Sequence, residues 1–245
     1  MSSFLYYQTI LTILDRAFQG QKEALHKAAL MMADVIASDN LIYVFGAGHA
    51  AIIAEEMFYR AGGFVPVNPI FAPGLITSTH PVTLETALER LSGYAALLFE
   101  AHPITPDDLL IIHSNSGRNT VAIELAEIAR SRGVKVIALT SLAHSQAYPS
   151  RHPKGLRLMD VADLVLDNCG VVGDAAVELP GLTQRVGATS TIVGAALMNA
   201  IIVETACILL ERGQQPPIFC SANVDGEEAM NEFWLQHYRN KLTYL

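Results

Sequence analysis

The segment "HSNSGRNT" sets Ser114, Asn115, Ser116 and Gly117 between an apolar run and a stretch of helical periodicity that begins near Asn119. Small hydroxyl and amide side chains at a helix N-terminus offer donors beside unpaired backbone N–H groups and the positive end of the helix dipole, and that combination binds anions such as phosphate. A helix cap alone needs one such residue. This turn supplies Ser114, Asn115, Ser116, Asn119 and Thr120, so phosphate binding is the stronger expectation.

A glycine-rich turn, "VFGAGHAA", follows the apolar run 41–45 and places Gly46, Gly48 and Ala51 at the spacing of a dinucleotide-binding fingerprint. Such a site also needs an acid about 20 residues on, at the end of the next strand, to hold the ribose hydroxyls. That region reads "GFVPVNPIFAPG", and its one polar residue is Asn68. A nicotinamide dinucleotide is therefore disfavoured. The glycines are expected instead to let backbone close on a phosphorylated sugar held together with the serine turn, His49 being the polar side chain on their side.

Next along the chain, "AIIAEEMFYR" carries adjacent acids. Adjacent helical residues diverge by about 100°, so at most one of Glu55 and Glu56 faces a crevice squarely. The competing role for Glu56 is an ion pair with Arg60, one turn on. His49 is a candidate to donate to a sugar ring oxygen, with a simple polar contact as the alternative, and His80, in "LITSTHPV", is a second candidate on a loop that could cover the crevice, with a plain connector as its alternative. His113 ends an apolar run, where a buried core histidine is the plain expectation. No HxxxH or HxH spacing marks a metal site, and none is expected.

These residues need a scaffold. Apolar positions at helical spacing (Leu11, Leu14, Phe18, then Leu25, Ala29, Met32, Ile36) predict two leading helices broken near Gly20. Short apolar strands then alternate with helical stretches, the pattern of a parallel α/β sheet built from βαβ units. Strands are expected at 41–45, 64–67, 108–113, 134–139 and 163–167, with helices at 50–61, 83–100, 119–132 and 189–211. The simplest winding is flavodoxin-like, order 2-1-3-4-5, which brings the turns after strands one and three together at the switch point. One domain is expected over 1–245: leading helices to 40, the α/β core over 41–211, and a tail over 212–245 whose "NVDGEE" is a turn.

Composition narrows the partners. A formal charge of −8 with 16 scattered Lys and Arg argues against nucleic acid. The three cysteines lack CxxC spacing and suit a reducing, cytoplasmic compartment. No basic region precedes the N-terminal apolar residues, and the apolar stretch 190–211 contains Asn199 and Glu204, so it is expected as a buried helix with no membrane partner. The apolar stripes of the leading helices predict a homodimer or homotetramer.

Taken together, the glycine turn, the "SNSG" turn and the leading helices resemble the sugar isomerase (SIS) domain family over roughly residues 5 to 211. "EEMFYRAGG", "VPVNPI", "IIHSNSGRN", "ALTS", "PSRH" and "SANVDG" resemble a SIS subgroup often classed as sugar isomerases, along nearly the whole chain. The resemblance implies phosphosugar binding with phosphate contacts at Ser114, Asn115 and Ser116. It also implies an aldose–ketose isomerase that needs no cofactor. Its base falls on Glu56, which matches the second acid of the pair that phosphoheptose isomerases use. Two positions depart from the pattern, Asn119 where many relatives have Thr and Ala50 where Ser is usual, and the late helix lacks the His that phosphoheptose isomerases supply. The same fold also carries etherase-like lyases and phosphosugar-sensing regulators, which stand as alternatives.

Overall fold

The computed structural model describes residues 2–244. Two leading helices, α1 (Ser3–Gln19) and α2 (Lys22–Ala37), precede a five-stranded sheet of β1 (Ile42–Gly46), β2 (Val67–Ile70), β3 (Leu109–His113), β4 (Lys135–Thr140) and β5 (Leu164–Asp167). All four strand pairings are parallel, in the order β2-β1-β3-β4-β5, as the winding argument predicts. Between strands lie α3 (Ile52–Met57), α4 (Thr83–Leu88), α5 (Tyr94–Glu100), α6 (Thr120–Ser131), α7 (Leu142–Ala147) and α8 (Leu158–Val161). The hairpin β6 (Ala175–Val177) and β7 (Val186–Ala188) leads into α9 (Ser190–Glu211), and α10 (Glu228–Tyr238) follows.

The strands are apolar throughout because both faces of the sheet are covered. Side chains alternate between two cores: Ile42, Val44, Leu109, Ile111, Ile137 and Leu139 pack with α1, α2, α3 and α9. Tyr43, Phe45, Leu110, Ile112, Val136 and Ala138 pack with α5, α6, α8 and α10. Burying each Val, Leu, Ile or Phe side chain among them contributes about 1.5–3 kcal/mol. α9 is, among the described residues, the one helix long and apolar enough to cross a membrane; half of it is buried in the first core.

Three expected boundaries are corrected. The second strand lies at Val67–Ile70 rather than 64–67, because the "FVPVNPI" run is apolar throughout and marks no register of its own. The helix expected at 50–61 starts as a 3₁₀ turn, Gly48–Ala51, continues as α3, and stops at Phe58, where the backbone turns extended before Tyr59 goes left-handed. The stretch expected at 83–100 divides into α4 and α5 at Gly93, whose φ of 87° no helix interior accepts.

The tail is docked against β2. Residues 62–65 exchange backbone hydrogen bonds with Pro217 and Phe219, and the buried Asn68 carboxamide bonds Thr243 from both ends, Nδ2 to Oγ1 at 2.9 Å and Oδ1 from the Thr243 N–H at 3.1 Å. Trp234, Leu235, Tyr238 and Leu242 extend the second core.

Candidate functional site

Strands β1 and β3 are neighbours with Gly46 opposite His113, so the glycine turn and the serine turn leave the sheet side by side where the strand order reverses. His113 Nδ1 bonds the Ala50 carbonyl at 3.1 Å and ties the two turns together. A side chain at Gly46 would put its Cβ 2.3 Å from the Ala50 carbonyl oxygen, so only glycine lets the chain double back this closely. Gly48, at φ 60°, donates its N–H to the Leu75 carbonyl at 2.7 Å, and the Glu85 carboxylate of α4 lies over it.

In the serine turn, Gly117 adopts φ 57° and donates its N–H to the Ser114 carbonyl at 3.0 Å and the Ser114 hydroxyl at 3.2 Å. Asn115 is fixed from behind: its carbonyl accepts from the Ser141 N–H at 3.0 Å and the Thr140 hydroxyl at 3.3 Å, and its Oδ1 accepts from Asn168 at 2.9 Å. Ser116, between two anchored residues, is partly exposed. Asn119 and Thr120 are buried and face Arg151, whose guanidinium donates to Asn119 Oδ1 at 2.6 Å while its carbonyl accepts from the Thr120 hydroxyl at 3.3 Å. The turn is therefore held as a rigid scaffold, which limits the ordering a ligand must impose.

Of the two adjacent acids, Glu55 is exposed and Glu56 turns toward α9. The Glu56 carboxylate accepts from Asn199 Nδ2 at 2.9 Å and from the Arg60 guanidinium. His49, in the 3₁₀ turn, and His80, before α4, are both exposed. His113 is fully buried, and burial pushes its imidazole down to about 4, against the opposing pull of the Ala50 hydrogen bond and the Asp174 charge. Glu204 bonds His26 of α2 at 2.7 Å, a structural bridge.

Several contributors were not legible in advance. Asp174 caps α9, its carboxylate accepting from the Thr189 and Ser190 N–H groups and the Ser190 hydroxyl at 2.8–3.0 Å. Burial raises the Asp174 carboxyl, but the Ser190 and Thr189 hydrogen bonds outweigh burial and hold it below the usual range. The N-terminus of α9 is thus already filled by an anion of the chain itself. Asn168, Thr140 and Ser141 form the polar bed of the serine turn. In "ALTS" the only signal was small hydroxyl residues at the end of a strand. Asn168 and Arg151 lie 53 and 32 residues from their partners, beyond any local pattern.

A hollow of about 380 Å³ at the opposite, amino edge of the sheet is lined by Lys27, Asp34, Asp108, Lys135 and Asp163. Three of its acids are engaged in the fold: Asp108 accepts from the Leu41 and Thr105 N–H groups, Asp163 from that of Val136, and Asp34 pairs with Arg212. The two turns are the candidate site. Among the described residues no group of three or more His, Cys, Asp or Glu is arranged to hold a metal ion.

With this geometry in place, the relatives are informative. The SIS domain family model matches residues 5–141. The chain is 45% identical over 240 residues to a UPF0309 protein of Shouchella clausii, with 98% of each chain covered. Its fold is similar to that of a phosphoheptose isomerase from Francisella tularensis (TM-score 0.55, 16% identity, 83% of this chain and 96% of that one). It is also similar to the Vibrio vulnificus NanR protein complexed with ManNAc-6P (TM-score 0.50, 14% identity, 99% of this chain and 70% of that one). The chain belongs to the SIS domain family.

Proposed function

We propose that the protein binds a phosphorylated sugar between the glycine and serine turns and interconverts its aldose and ketose forms without a cofactor. The observation that carries this reading is the pairing of the two turns at the switch point, with the serine turn braced from behind and its Ser116 side open. Phosphate sits against Ser114, Asn115, Ser116 and Gly117, with Asn119 and Thr120 setting the turn through Arg151. Gly46 and Gly48 shape the other wall. Glu56 moves the proton between C1 and C2, and His49 or His80 serves the ring oxygen. The phosphoheptose isomerase likeness supports the isomerase class. The NanR relative, solved with ManNAc-6P, supports the second reading, a phosphosugar sensor without turnover.

Ser116→Ala tests the phosphate site. It removes one hydroxyl donor and leaves the braced backbone in place. A hydrogen bond to a charged group is worth ~1.5–3 kcal/mol, so calorimetry should show phosphosugar affinity reduced roughly tenfold to a hundredfold. Full affinity in folded Ser116→Ala and Ser114→Ala proteins would remove the site.

The proposal extends to assembly in the cytoplasm as a homodimer or homotetramer. Phe4, Tyr7 and Leu11 of α1 and Ile192, Val203 and Leu210 of α9 are exposed apolar side chains, the kind of surface a second copy covers. Light scattering at micromolar concentration should give a multiple of 26.5 kDa; a monomer mass overturns the assembly.

A further inference from the structure

Three arginines stand around the first turn of α6. Arg118 directly follows the serine turn, and its guanidinium lies over the Tyr148 ring at 5.4 Å from the centroid, with Nε buried and unpartnered among the described residues. Arg151 is bound to the same turn: its N–H donates to the Arg118 carbonyl at 2.9 Å and its guanidinium to Asn119 at 2.6 Å. Arg90 is brought there by the residue before it, since the Glu89 carbonyl accepts the Val121 N–H of α6 at 3.1 Å. Arg90 and Arg151 are exposed.

Of the chain's eight other arginines, Arg16 and Arg157 direct their guanidinium groups to backbone carbonyls, Arg239 makes no ion pair among the described residues, and five are neutralised. Arg60, Arg130, Arg132, Arg185 and Arg212 each pair with a carboxylate. Among the described residues, Arg90, Arg118 and Arg151 pair with none. Burial lowers the Arg151 guanidinium, and repulsion from Arg118 and Arg90 lowers it further, against the opposing charge of Glu89. Glu89 offsets at most one of the three positive charges, and Glu85, on the same helix, is turned to Gly48. Three cations gathered around the single carboxylate of Glu89, in a chain of net charge −8, leave positive charge in excess beside the phosphate turn, which a further anion would balance.

The geometry points to an anion subsite formed by Arg90, Arg118 and Arg151 beside the phosphate turn, and we infer that the sugar phosphate carries a second anionic group, a carboxylate or a further phosphate. This inference rests on the phosphosugar reading and narrows its substrate class. Two phosphates or a phosphate and a carboxylate on one sugar would occupy the serine turn and the arginines together, each anion desolvated by a different set of donors.

The test is calorimetry at low salt with two matched pairs: fructose 1,6-bisphosphate against fructose 6-phosphate, and 6-phosphogluconate against glucitol 6-phosphate. The doubly anionic member of at least one pair should bind roughly tenfold tighter or more, with the gap closing as salt is raised. Arg118→Gln and Arg90→Gln should erase that gap, whereas Ser116→Ala weakens both members. Arg90 is exposed, so its variant carries the test if Arg118→Gln, which loses the Tyr148 contact, fails to fold. Equal affinity within both pairs overturns the inference and leaves the phosphosugar reading standing. So does an arginine variant that weakens both members equally, since the cluster then serves the one phosphate. If none of the four sugars binds, the phosphosugar reading falls and the inference with it.

Discussion

Replacing Glu56 with Gln is expected to lower aldose–ketose interconversion by ~100-fold or more, the scale on which a positioned general base contributes, while sugar-phosphate binding persists. Folding should survive the change. The Arg60–Glu56 pair is an i,i+4 contact with both partners partly exposed, and such pairs are worth only about 0.3–0.5 kcal/mol. A glutamine oxygen can still accept from Asn199 Nδ2, which now bonds the carboxylate at 2.9 Å, so the side chain stays where α9 holds it. What the amide cannot do is take a proton from C2. Glu55→Gln should change turnover little, because Glu55 is exposed and turned away from that partner. Incubating the wild type with its best-binding sugar phosphate in deuterated water should place deuterium beside the carbonyl. Undiminished turnover in Glu56→Gln would move proton transfer to His49 or His80. A wild type that binds phosphosugars without interconversion, elimination or exchange would replace the isomerase by the sensor.

Acid should weaken the fold through His113. Its folded value of about 4 lies below the ordinary histidine value near 6.5, because burial disfavours the imidazolium. Above pH ~6.5 the ring is neutral in both states and stability is full. As pH falls from ~6.5 to ~4 the unfolded chain takes up a proton that the folded chain refuses, and stability is lost progressively, by roughly 3 kcal/mol in all. For a chain of this size that is roughly 6–12 °C in melting temperature. His113→Gln keeps a donor for the Ala50 carbonyl and removes the titration, so its melting temperature should fall much less over the same range. A smaller slope remains, since burial also lowers His144. An equal loss in wild type and His113→Gln between pH 7 and pH 4.5 would show that His113 is not the group that titrates.

The sheet order was legible because each buried strand is a continuous apolar run set off by helical periodicity, and five such runs leave few windings open. The exact register of β2 was not, since Phe64, Val65 and Val67 are equally apolar and only pairing with Ile42 and Tyr43 selects 67–70. The hairpin at β6 and β7 escaped notice for the opposite reason: with three residues a strand and β7 exposed, it is too short to show an alternating pattern. At the site, spacing identified both turns and His113 as the end of a strand. It gave no means of seeing that Asn119 and Thr120 look toward Arg151, or that Asn68 is committed to Thr243, because those partners are set by how separate elements pack.

The Asn68–Thr243 clasp carries a consequence for how the chain is made. β2 is the sheet's outer strand, and the segments that cover its flank lie far downstream, Thr243 standing 175 residues beyond Asn68. At translation rates of about 5–20 residues per second, the ribosome needs roughly ten to thirty-five seconds to deliver that cover. Through that interval the nascent chain presents an apolar edge and an unsatisfied buried amide, the surface on which strands of neighbouring nascent chains pair. Pro69, within β2, withholds a backbone donor along that edge and acts as a gatekeeper until the C-terminal segment arrives.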